Sequence, residues 1–397
     1  MDVFSSLPEP IIHHIMSLVP AKDATHMSIL SNTFHSSWRS FPIMDFDFQL
    51  FIRSCSLDDE IYGESFLDFV VNSLQYHELT TSLEKLRFCG SPGGYKFDSM
   101  FKRMINFALD NNVRELELHF HIAWRLCTYC LPPAIFSAKS IKTLTLIAIA
   151  LSQDLILSCP CIKSFNLISC HGFKTVFLAS NAKLKALRIE EFSDIKDFHF
   201  ESPALCLESF SFHSFVNSVP VKFNISGYTT PNLKYLRLKG HGIPDRLFES
   251  INAEFPYLEA LMIQDCNVSK KKVKIHLEYL KTLELNMINF SKLEIEAPRM
   301  VSFTYKHGLV RTTENDISIR CTNLKYLRYR ATVPYRWIRN SFSEFLFLET
   351  LKLHIWSENE KIKFHFECLK TFKLHLGDPS SKYGFLHLHM LFICKTS

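Results

Sequence analysis

Glycine is scarce in this chain, with only 11 Gly among 397 residues. Phosphate-cradling loops need glycine because only glycine lets the backbone come close to the phosphate oxygens. The sequence also contains no G-x-G-x-x-G, Walker, G-x-S-x-G or H-E-x-x-H motif. These absences argue against a nucleotide-binding enzyme, a serine hydrolase and a zinc protease. We therefore expect no enzyme activity, no catalytic residue and no cofactor.

Long apolar runs and paired cysteine motifs are missing as well. No stretch reaches the roughly 18 apolar residues of a membrane helix, and no basic segment followed by an apolar one opens the chain. The 12 cysteines are scattered, and the single C-x-x-C at Cys127 and Cys130 lacks a second pair at zinc-site spacing. We expect reduced thiols, no metal, no membrane partner, and a protein of the nucleus or cytoplasm.

What the chain does have is one short pattern that recurs about every 24 residues. It reads leucine, two residues, leucine, one residue, leucine, with Ile, Val, Phe, Met or Tyr as substitutes. Its copies begin at Leu83, Val113, Ile141, Ile162, Leu184, Leu207, Leu233, Leu258, Leu280, Met300, Leu324, Leu348 and Leu369. This is the period of leucine-rich repeats, in which each turn contributes one strand to a stacked solenoid. We expect Cys170 and Cys266 at the buried Asn-or-Cys position of their repeats.

The first 45 residues lack this repeat and have helical spacing instead. Leu7, Ile11, Ile15 and Leu18 line one face of a first helix. A second helix is expected to start near Asp23, and a third to run from about Asn32 to Ser40. Three helices in so short a segment bury too little surface to be stable alone, so their spare apolar face should meet a partner.

The fold class that follows is α/β, with an N-terminal three-helix segment and a repeat solenoid. The solenoid is expected to be a horseshoe with a parallel sheet on its concave face. Helices are expected around Phe66, Phe69, Val70 and Leu74, and also over Asp98–Asn112 and Pro244–Phe255. The chain divides into 1–47 as the helical segment, 48–82 as a connector and solenoid cap, 83–376 as the repeats and 377–397 as an apolar tail.

The helical segment resembles an F-box, the adaptor motif of cullin-based ubiquitin ligases. The matching stretch is LPEPIIHHIMSLVPAKDATHMSILSNTFHSSWRSFPIMDFD, residues 7–47. Together with the P-x-L-K-x-L repeats, it is similar to the plant F-box/LRR class. The resemblance implies binding to an SKP-type adaptor and, through it, to a cullin. The residues expected to bind the adaptor are Leu7, Pro8, Ile11, Ile15, Leu18, Ile29, Leu30 and Trp38. Many such relatives carry a further C-terminal module that the tail does not match, so truncation or alternative splicing is one interpretation of it.

Charge is distributed unevenly along the repeats. Lys and Arg minus Asp and Glu give 23 − 27 = −4 for residues 1–264 and 22 − 13 = +9 for residues 265–397. Side chains alternate along a strand, so positions between the repeat leucines point outward. A basic stripe is expected from Tyr326, Arg328, Arg330, Lys352, His354, Lys373 and His375. It is either a substrate-binding surface, which an acidic partner would suit, or ordinary solvated surface.

The function expected from these features is substrate recognition in an SCF-type ubiquitin ligase, with an unknown protein as the target. Two alternatives stay open: a non-degradative interaction scaffold, and an F-box receptor that senses a small molecule in the concave face. The KKK run at Lys270–Lys272 is too short to indicate a nucleic-acid partner.

Overall fold

The structure is a computed structural model of the chain. It describes residues 7–53, 59–79, 81–90, 96–120, 131–151, 154–179, 182–192, 195–215, 222–223, 225–226, 228–240, 246–265, 272–286, 292–306, 316–331, 345, 347–356, 370–377 and 385–388. In parts of some elements it describes the backbone alone.

Helices are concentrated in the first third of the chain. They are α1 (Glu9–Ser17), α2 (Ala21–Met27), α3 (Asn32–Arg39), α4 (Phe48–Arg53), α5 (Asp59–Tyr76), α6 (Phe97–Asp110) and α7 (Arg246–Glu254), with a 3₁₀ helix at Pro133–Ser137. The second helix, expected to start near Asp23, is α2, which begins two residues earlier at Ala21, after Pro20. Asp23 instead lies in the first turn, where its negative charge suits the helix dipole. Ser31 caps α3, its hydroxyl accepting a bond from Phe34 N at 3.2 Å.

Strands alternate with short return segments along the rest of the chain. They are β1 (Ile43–Asp47), β2 (Lys85–Cys89), β3 (Glu115–His119), β4 (Thr143–Ile147), β5 (Leu155–Leu157), β6 (Ser164–Ile168), β7 (Thr175–Leu178), β8 (Ala186–Phe192), β9 (Asp197–Phe200), β10 (Ser209–Ser214), β11 (Lys222–Phe223), β12 (Tyr235–Lys239), β13 (Ala260–Gln264), β14 (Lys272–His276), β15 (Thr282–Asn286), β16 (Lys292–Glu296), β17 (Ser302–Lys306), β18 (Asp316–Arg320), β19 (Tyr326–Ala331), β20 (Thr350–Trp356), β21 (Thr371–Gly377) and β22 (Phe385–Leu388).

The chain forms two compact units. The first comprises residues 1–189 and 199–202, and the second comprises residues 190–198 and 203–397. In the first unit, β1, β2, β3, β4 and β6 pair in that order, all parallel, and β5 pairs with β7. β1 lies within the segment assigned to the F-box, yet it is hydrogen-bonded in register to β2. The parallel sheet therefore starts directly after α3.

The second unit contains the longer run of parallel strands. Its main order is β10, β12, β13, β15, β17, β19, β20 and β21. A second layer contains β14, β16 and β18, and β9 pairs with β11. β22, within the expected apolar tail, pairs antiparallel with β21. Together with the helical F-box, this repeating parallel sheet confirms the predicted α/β leucine-rich-repeat architecture.

The repeat leucines form the core, as their spacing predicted. Within each described copy of the pattern, all three apolar positions are at most 2% exposed. Phe takes the place of Leu at Phe88, Phe165, Phe210, Phe212 and Phe303, and these rings are 0–1% exposed. Because consecutive turns pair with no shift in register, each apolar side chain lies over its equivalent in the next turn. The stack thus buries a continuous apolar column that no single turn could bury.

Side chains also join one turn to the backbone of the previous turn. The Asn232 amide donates to Leu205 O at 2.7 Å, and the Asn323 amide donates to Pro298 O at 3.0 Å. The Cys170 thiol donates to Leu146 O at 3.3 Å, and burial raises its pKa to about 12, so it stays a thiol at neutral pH. The predicted burial of Cys170 is confirmed, while Cys266 lies outside the described residues. The two amide bonds thus satisfy carbonyls of return segments, and the thiol bond reaches a carbonyl of β4.

A left-handed residue follows several of the main strands. Ala148, Ser169, Asp265 and Gly240 stand one residue past a strand and have φ of 56°, 53°, 53° and 106°. The positive φ lets the chain leave the sheet within one residue. At Gly240 a Cβ would come within 2.1 Å of Ser214 O, so only glycine fits there.

The helix α5 covers the first turns of the sheet with its apolar face. Phe66, Val70 and Leu74 are buried, as their helical spacing predicted, and the Phe66 ring lies 5.8 Å from that of Phe88 on β2. The predicted helix near Asp98 is α6, which buries Phe101, Met104, Ile105 and Ala108, while Leu109 is half-buried. The helix expected over Pro244–Phe255 is α7.

Removing a ring from the repeat core should destabilise the protein strongly. We expect Phe165→Ala to lower the free energy of unfolding by about 3–5 kcal/mol, because Phe165 is fully buried between neighbouring turns. Urea unfolding followed by circular dichroism measures the change. Lys163→Ala, at an exposed position of the same turn, is the matched control and should change it by less than about 0.5 kcal/mol. Equal effects of the two variants would contradict the stacked core.

Candidate functional site

The three N-terminal helices form a small apolar core. Ile12 and Met16, one turn apart on α1, pack with Ala24 of α2, Phe34 and Trp38 of α3, and Phe41. Leu7, Val19, Met27 and Ile43 contact this core and stay partly exposed. The α1 face that carries Ile12 and Met16 is therefore the inner one. The face identified from the i, i+4 spacing of Leu7, Ile11 and Ile15 is not the face that carries the core.

Four of the residues predicted to bind an adaptor are strongly exposed. Ile11 is 47% exposed, Leu18 73%, Ile29 83% and Leu30 67%. Ile11 and Leu18 belong to α1 and the turn after it, and Ile29 and Leu30 to the turn between α2 and α3. Isolated exposed apolar residues are ordinary, but four large ones within residues 11–30 are typical of a segment that binds another protein.

The other four residues predicted to bind the adaptor differ in exposure. Pro8 is exposed at the start of α1, whereas Leu7 and Ile15 are half-buried. Trp38 is 7% exposed and lies in the F-box core. In this structure Trp38 supports the helices that carry the exposed residues rather than presenting its own ring to solvent.

A buried histidine joins the F-box to α5. The His77 ring lies edge-on to Trp38 with a centroid distance of 4.5 Å, and its Nδ1 donates to Ser73 O at 2.7 Å. Burial lowers the His77 pKa from 6.5 to about 4, although the bond to Ser73 opposes this shift. Nearby, Glu78 N donates to Arg39 O at 2.9 Å, and the Arg39 guanidinium pairs with the Glu78 carboxylate. The end of α3 is thus held against the end of α5.

The depressed pKa of His77 makes the protein less stable in mild acid. In the unfolded chain His77 binds a proton below about pH 6.5, whereas in the folded chain it binds one only below about pH 4. The free energy of unfolding therefore falls as the pH is lowered through this window, by about 3 kcal/mol in total from this group. We expect His77→Gln, which keeps an amide donor for Ser73 O, to reduce the difference in unfolding free energy between pH 7 and pH 5. An unchanged pH dependence in urea unfolding would refute this assignment.

Charged side chains fix the first strand after the F-box to the repeats. Arg87 Nη1 bonds Asp45 Oδ1 at 2.9 Å and Asp47 Oδ2 at 3.0 Å, and its Nε lies 3.4 Å from Glu117 Oε1. Lys85 Nζ bonds Glu115 Oε1 at 2.6 Å. Cations of β2 therefore lie between the carboxylates of β1 and β3, and opposite charges on neighbouring strands stabilise the pairing.

The predicted basic stripe falls into two rows of the sheet in the second unit. Arg328 aligns with Lys352, which aligns with Lys373, while Arg330 aligns with His354 and then His375. Tyr326 begins β19 and is 46% exposed. Arg328 is exposed, and Arg330 and Lys352 are half-exposed. The structure describes only the backbone of His354, Lys373 and His375. The stripe is assembled in register, and its role in binding stays a prediction.

Metal-binding groups are not assembled in the part of the chain that the structure describes. No three His, Cys, Asp or Glu side chains come together there in a way that could hold an ion. Cys127 and Cys130 lie outside the described residues. Cys159 is buried, its thiol donates to Ile135 O at 3.3 Å, and burial raises its pKa to about 11.

Comparison with known proteins agrees with this geometry. An F-box domain family matches residues 4–46. The chain carries an F-box. It is 27% identical over 310 residues to a putative FBD-associated F-box protein of Arabidopsis thaliana, covering 72% of this chain and 64% of the relative. It is 32% identical over 154 residues to a putative F-box/FBD/LRR-repeat protein of the same plant, and this match covers 37% of this chain and 32% of the relative.

A third relative is an Arabidopsis thaliana F-box/LRR-repeat protein, 25% identical over 239 residues, with 52% of this chain and 71% of the relative covered. The chain is therefore similar to plant F-box/LRR-repeat proteins. Its matches span 64% and 32% of the length of the first two relatives. Among the helices described for this F-box protein, none is long and apolar enough to cross a membrane.

The two asparagines that bond the preceding turn were missed by sequence reasoning. Asn232 and Asn323 stand directly before the first leucine of their repeats, at Leu233 and Leu324. The shared Asn-Leu dipeptide was the available signal.

Proposed function

We propose that this F-box protein is a substrate-recognition subunit of an SCF-type ubiquitin ligase. Its F-box binds an SKP-type adaptor and thereby a cullin, while its repeats bind the target protein. The observation that carries the proposal is the exposure of Ile11, Leu18, Ile29 and Leu30 on a segment that matches the F-box family. The names of the relatives state an F-box and LRR repeats, which supports the same assembly.

The proposed docking surface consists of the exposed apolar residues, with the F-box core behind them. Burying a large aliphatic side chain against a partner contributes roughly 1.5–3 kcal/mol. Trp38, Phe34 and Met16 hold the helices in place, so that the exposed residues meet the adaptor as one surface. Leu7 and Ile15, which are half-buried, would contribute at the edge of this surface.

The proposed mechanism is proximity. A ligase subunit that holds a target beside a loaded conjugating enzyme replaces a bimolecular encounter by one at roughly millimolar effective concentration. The bond-forming chemistry belongs to the partner enzymes. The requirement on this chain is a fixed geometry between the F-box and the first turns. The Arg87 ion pairs and the contact between Arg39 and Glu78 support it.

Replacing exposed apolar residues of the F-box by acids should abolish adaptor binding. We expect Leu18→Glu with Ile29→Glu to weaken association with a purified SKP-type adaptor by at least about thirtyfold, since central anchors contribute roughly 2 kcal/mol or more. Both side chains are exposed, so the melting temperature should not change. Co-purification and titration calorimetry measure the effect.

The matched control for this experiment is Ile156→Glu. Ile156 is 57% exposed on β5 in the same unit, outside the F-box, and its replacement should leave adaptor binding intact. Normal binding by the double variant would refute the proposed docking surface.

Ubiquitin transfer separates a ligase subunit from a silent scaffold. We expect the full chain, combined with adaptor, cullin, RING protein, ubiquitin and the activating and conjugating enzymes, to direct ubiquitin to lysines of the chain or of bound proteins. Leu18→Glu with Ile29→Glu should reduce the rate to that without the chain, because tethering is lost. Immunoblotting for ubiquitin follows the reaction. Adaptor binding without transfer would instead favour the non-degradative scaffold.

A further inference from the structure

We propose that the adaptor contact of this protein extends beyond the F-box, into an apolar groove beside α4 and α5 that receives an apolar side chain of the SKP-type adaptor. This inference rests on the proposed function, because it takes the adaptor as the partner. The residue expected to make the new contact is Leu50 of α4. It lies outside residues 4–46, the part of the chain that the F-box family matches.

The groove, here called the α4 groove, lies between the F-box and the helices that follow it. Its volume is about 310 Å³. Its lining comes from residues 17–22, which form the turn after α1 and the start of α2, and from Leu50 and Phe51 of α4 with Phe66 and Phe69 of α5. All of these residues belong to the first unit. The F-box and the two helices therefore build the groove jointly.

Three phenylalanine rings form the apolar wall of the α4 groove. The centroid of the Phe51 ring lies 5.3 Å from that of Phe66 and 5.4 Å from that of Phe69. Phe51 is 8% exposed and Phe66 is fully buried, so close packing fixes the position of the wall. A preformed concave surface with an aromatic wall and few polar groups is typical of a site that binds an apolar group.

Leu50 is held in place at the α4 groove. Leu50 N donates to Asp47 Oδ1 at 3.1 Å, and Arg87 Nη1 donates to Asp47 Oδ2 at 3.0 Å. The first turn of α4 is thus tied through Asp47 to β2 of the sheet. Leu50 nevertheless stays 39% exposed, whereas the neighbouring Phe51 is buried. A partner that covers Leu50 would gain apolar contact without having to order the helix that carries it.

Leu18 connects the α4 groove with the proposed adaptor surface. It lines the groove, it is 73% exposed, and it is one of the four exposed residues on which the proposed docking surface depends. Because Leu18 and Leu50 line the same groove, a partner that covers Leu18 also reaches Leu50. This continuity identifies the adaptor as the occupant.

The charges around the α4 groove balance one another. Asp45 and Asp47 line it, and Arg87 bonds both carboxylates, at 2.9 Å and 3.0 Å. Lys22 also lines it, with its ammonium 4.8 Å from the centroid of the Phe51 ring. Two carboxylates and two cations leave no net charge. The groove therefore suits an uncharged apolar side chain better than an ionic ligand.

Titration of the adaptor against two variants of α4 tests this proposal. We expect Leu50→Glu to weaken binding of the full chain to a purified SKP-type adaptor by about tenfold, because a carboxylate would enter the apolar contact. Gln49→Glu is the matched control. It also introduces a carboxylate on α4, at an exposed position that does not line the groove, and should change the affinity by less than about threefold. Titration calorimetry measures both affinities.

Hydrogen–deuterium exchange on the unmodified chain gives a second measurement, which decides the matter even if Leu50→Glu fails to fold. We expect adaptor binding to slow exchange of the backbone amides of α4 and of the turn after α1. Equal affinities of Leu50→Glu and Gln49→Glu, or unchanged exchange in α4, would each overturn the proposal. Self-association of the chain that Leu50→Glu abolishes without changing adaptor affinity would also overturn it, because a second copy would then occupy the groove.

The unmodified chain and the F-box double variant separate this proposal from the proposed function. No adaptor binding by the unmodified chain would refute the ligase assignment and the α4 groove with it. Adaptor binding that is normal in the unmodified chain, lost in Leu18→Glu with Ile29→Glu and equal in the two α4 variants would refute the α4 groove alone.

Discussion

The register between consecutive turns is the constraint on which the rest of this structure depends. One turn offers three apolar side chains, which only the equivalent residues of the next turn can cover. The parallel ladders align these positions without a shift, and each described triplet is almost completely buried. A slip by one residue would turn every leucine outward. The same register decides which outward residues become neighbours, so the core and the surface are set by one geometry.

This geometry also explains how the F-box is attached. The chain leaves α3 and enters β1 within a few residues, and β1 pairs in register with β2. Arg87 adds ion pairs to Asp45 and Asp47 on the same edge. The F-box is therefore continuous with the sheet of its unit, and the helices α4 and α5 fold back to cover the first turns. The proposed proximity mechanism depends on such a connection, since a loosely tethered adaptor would present the target at random.

The sequence predicted the apolar surface of the F-box less well than the basic stripe of the repeats. The i, i+4 spacing of Ile11 and its neighbours identified an apolar helix face, and the structure places the core on the adjacent face of α1 at Ile12 and Met16. Periodicity could not separate these faces because Ile11 and Ile15 adjoin Ile12 and Met16 on one broad apolar side of α1. Trp38 is an apolar residue of the correct helix, but only packing shows that it points inward. The basic stripe was more predictable, since strand alternation and a fixed repeat period determine its neighbours.

The sequence by itself determined the repeat period, the buried triplets and the α/β repeat architecture, because each depends on local spacing of apolar residues, and residues 7–47 carried the F-box resemblance. It also located α6 and α7 from their helical periodicity. Tertiary structure decided that β1 begins the sheet inside the F-box segment, that residues of the expected tail pair with β21, and that Asn232 and Asn323 bond the preceding turn. These features depend on contacts between residues distant in sequence. Local patterns carry no information about such contacts until the turns are stacked.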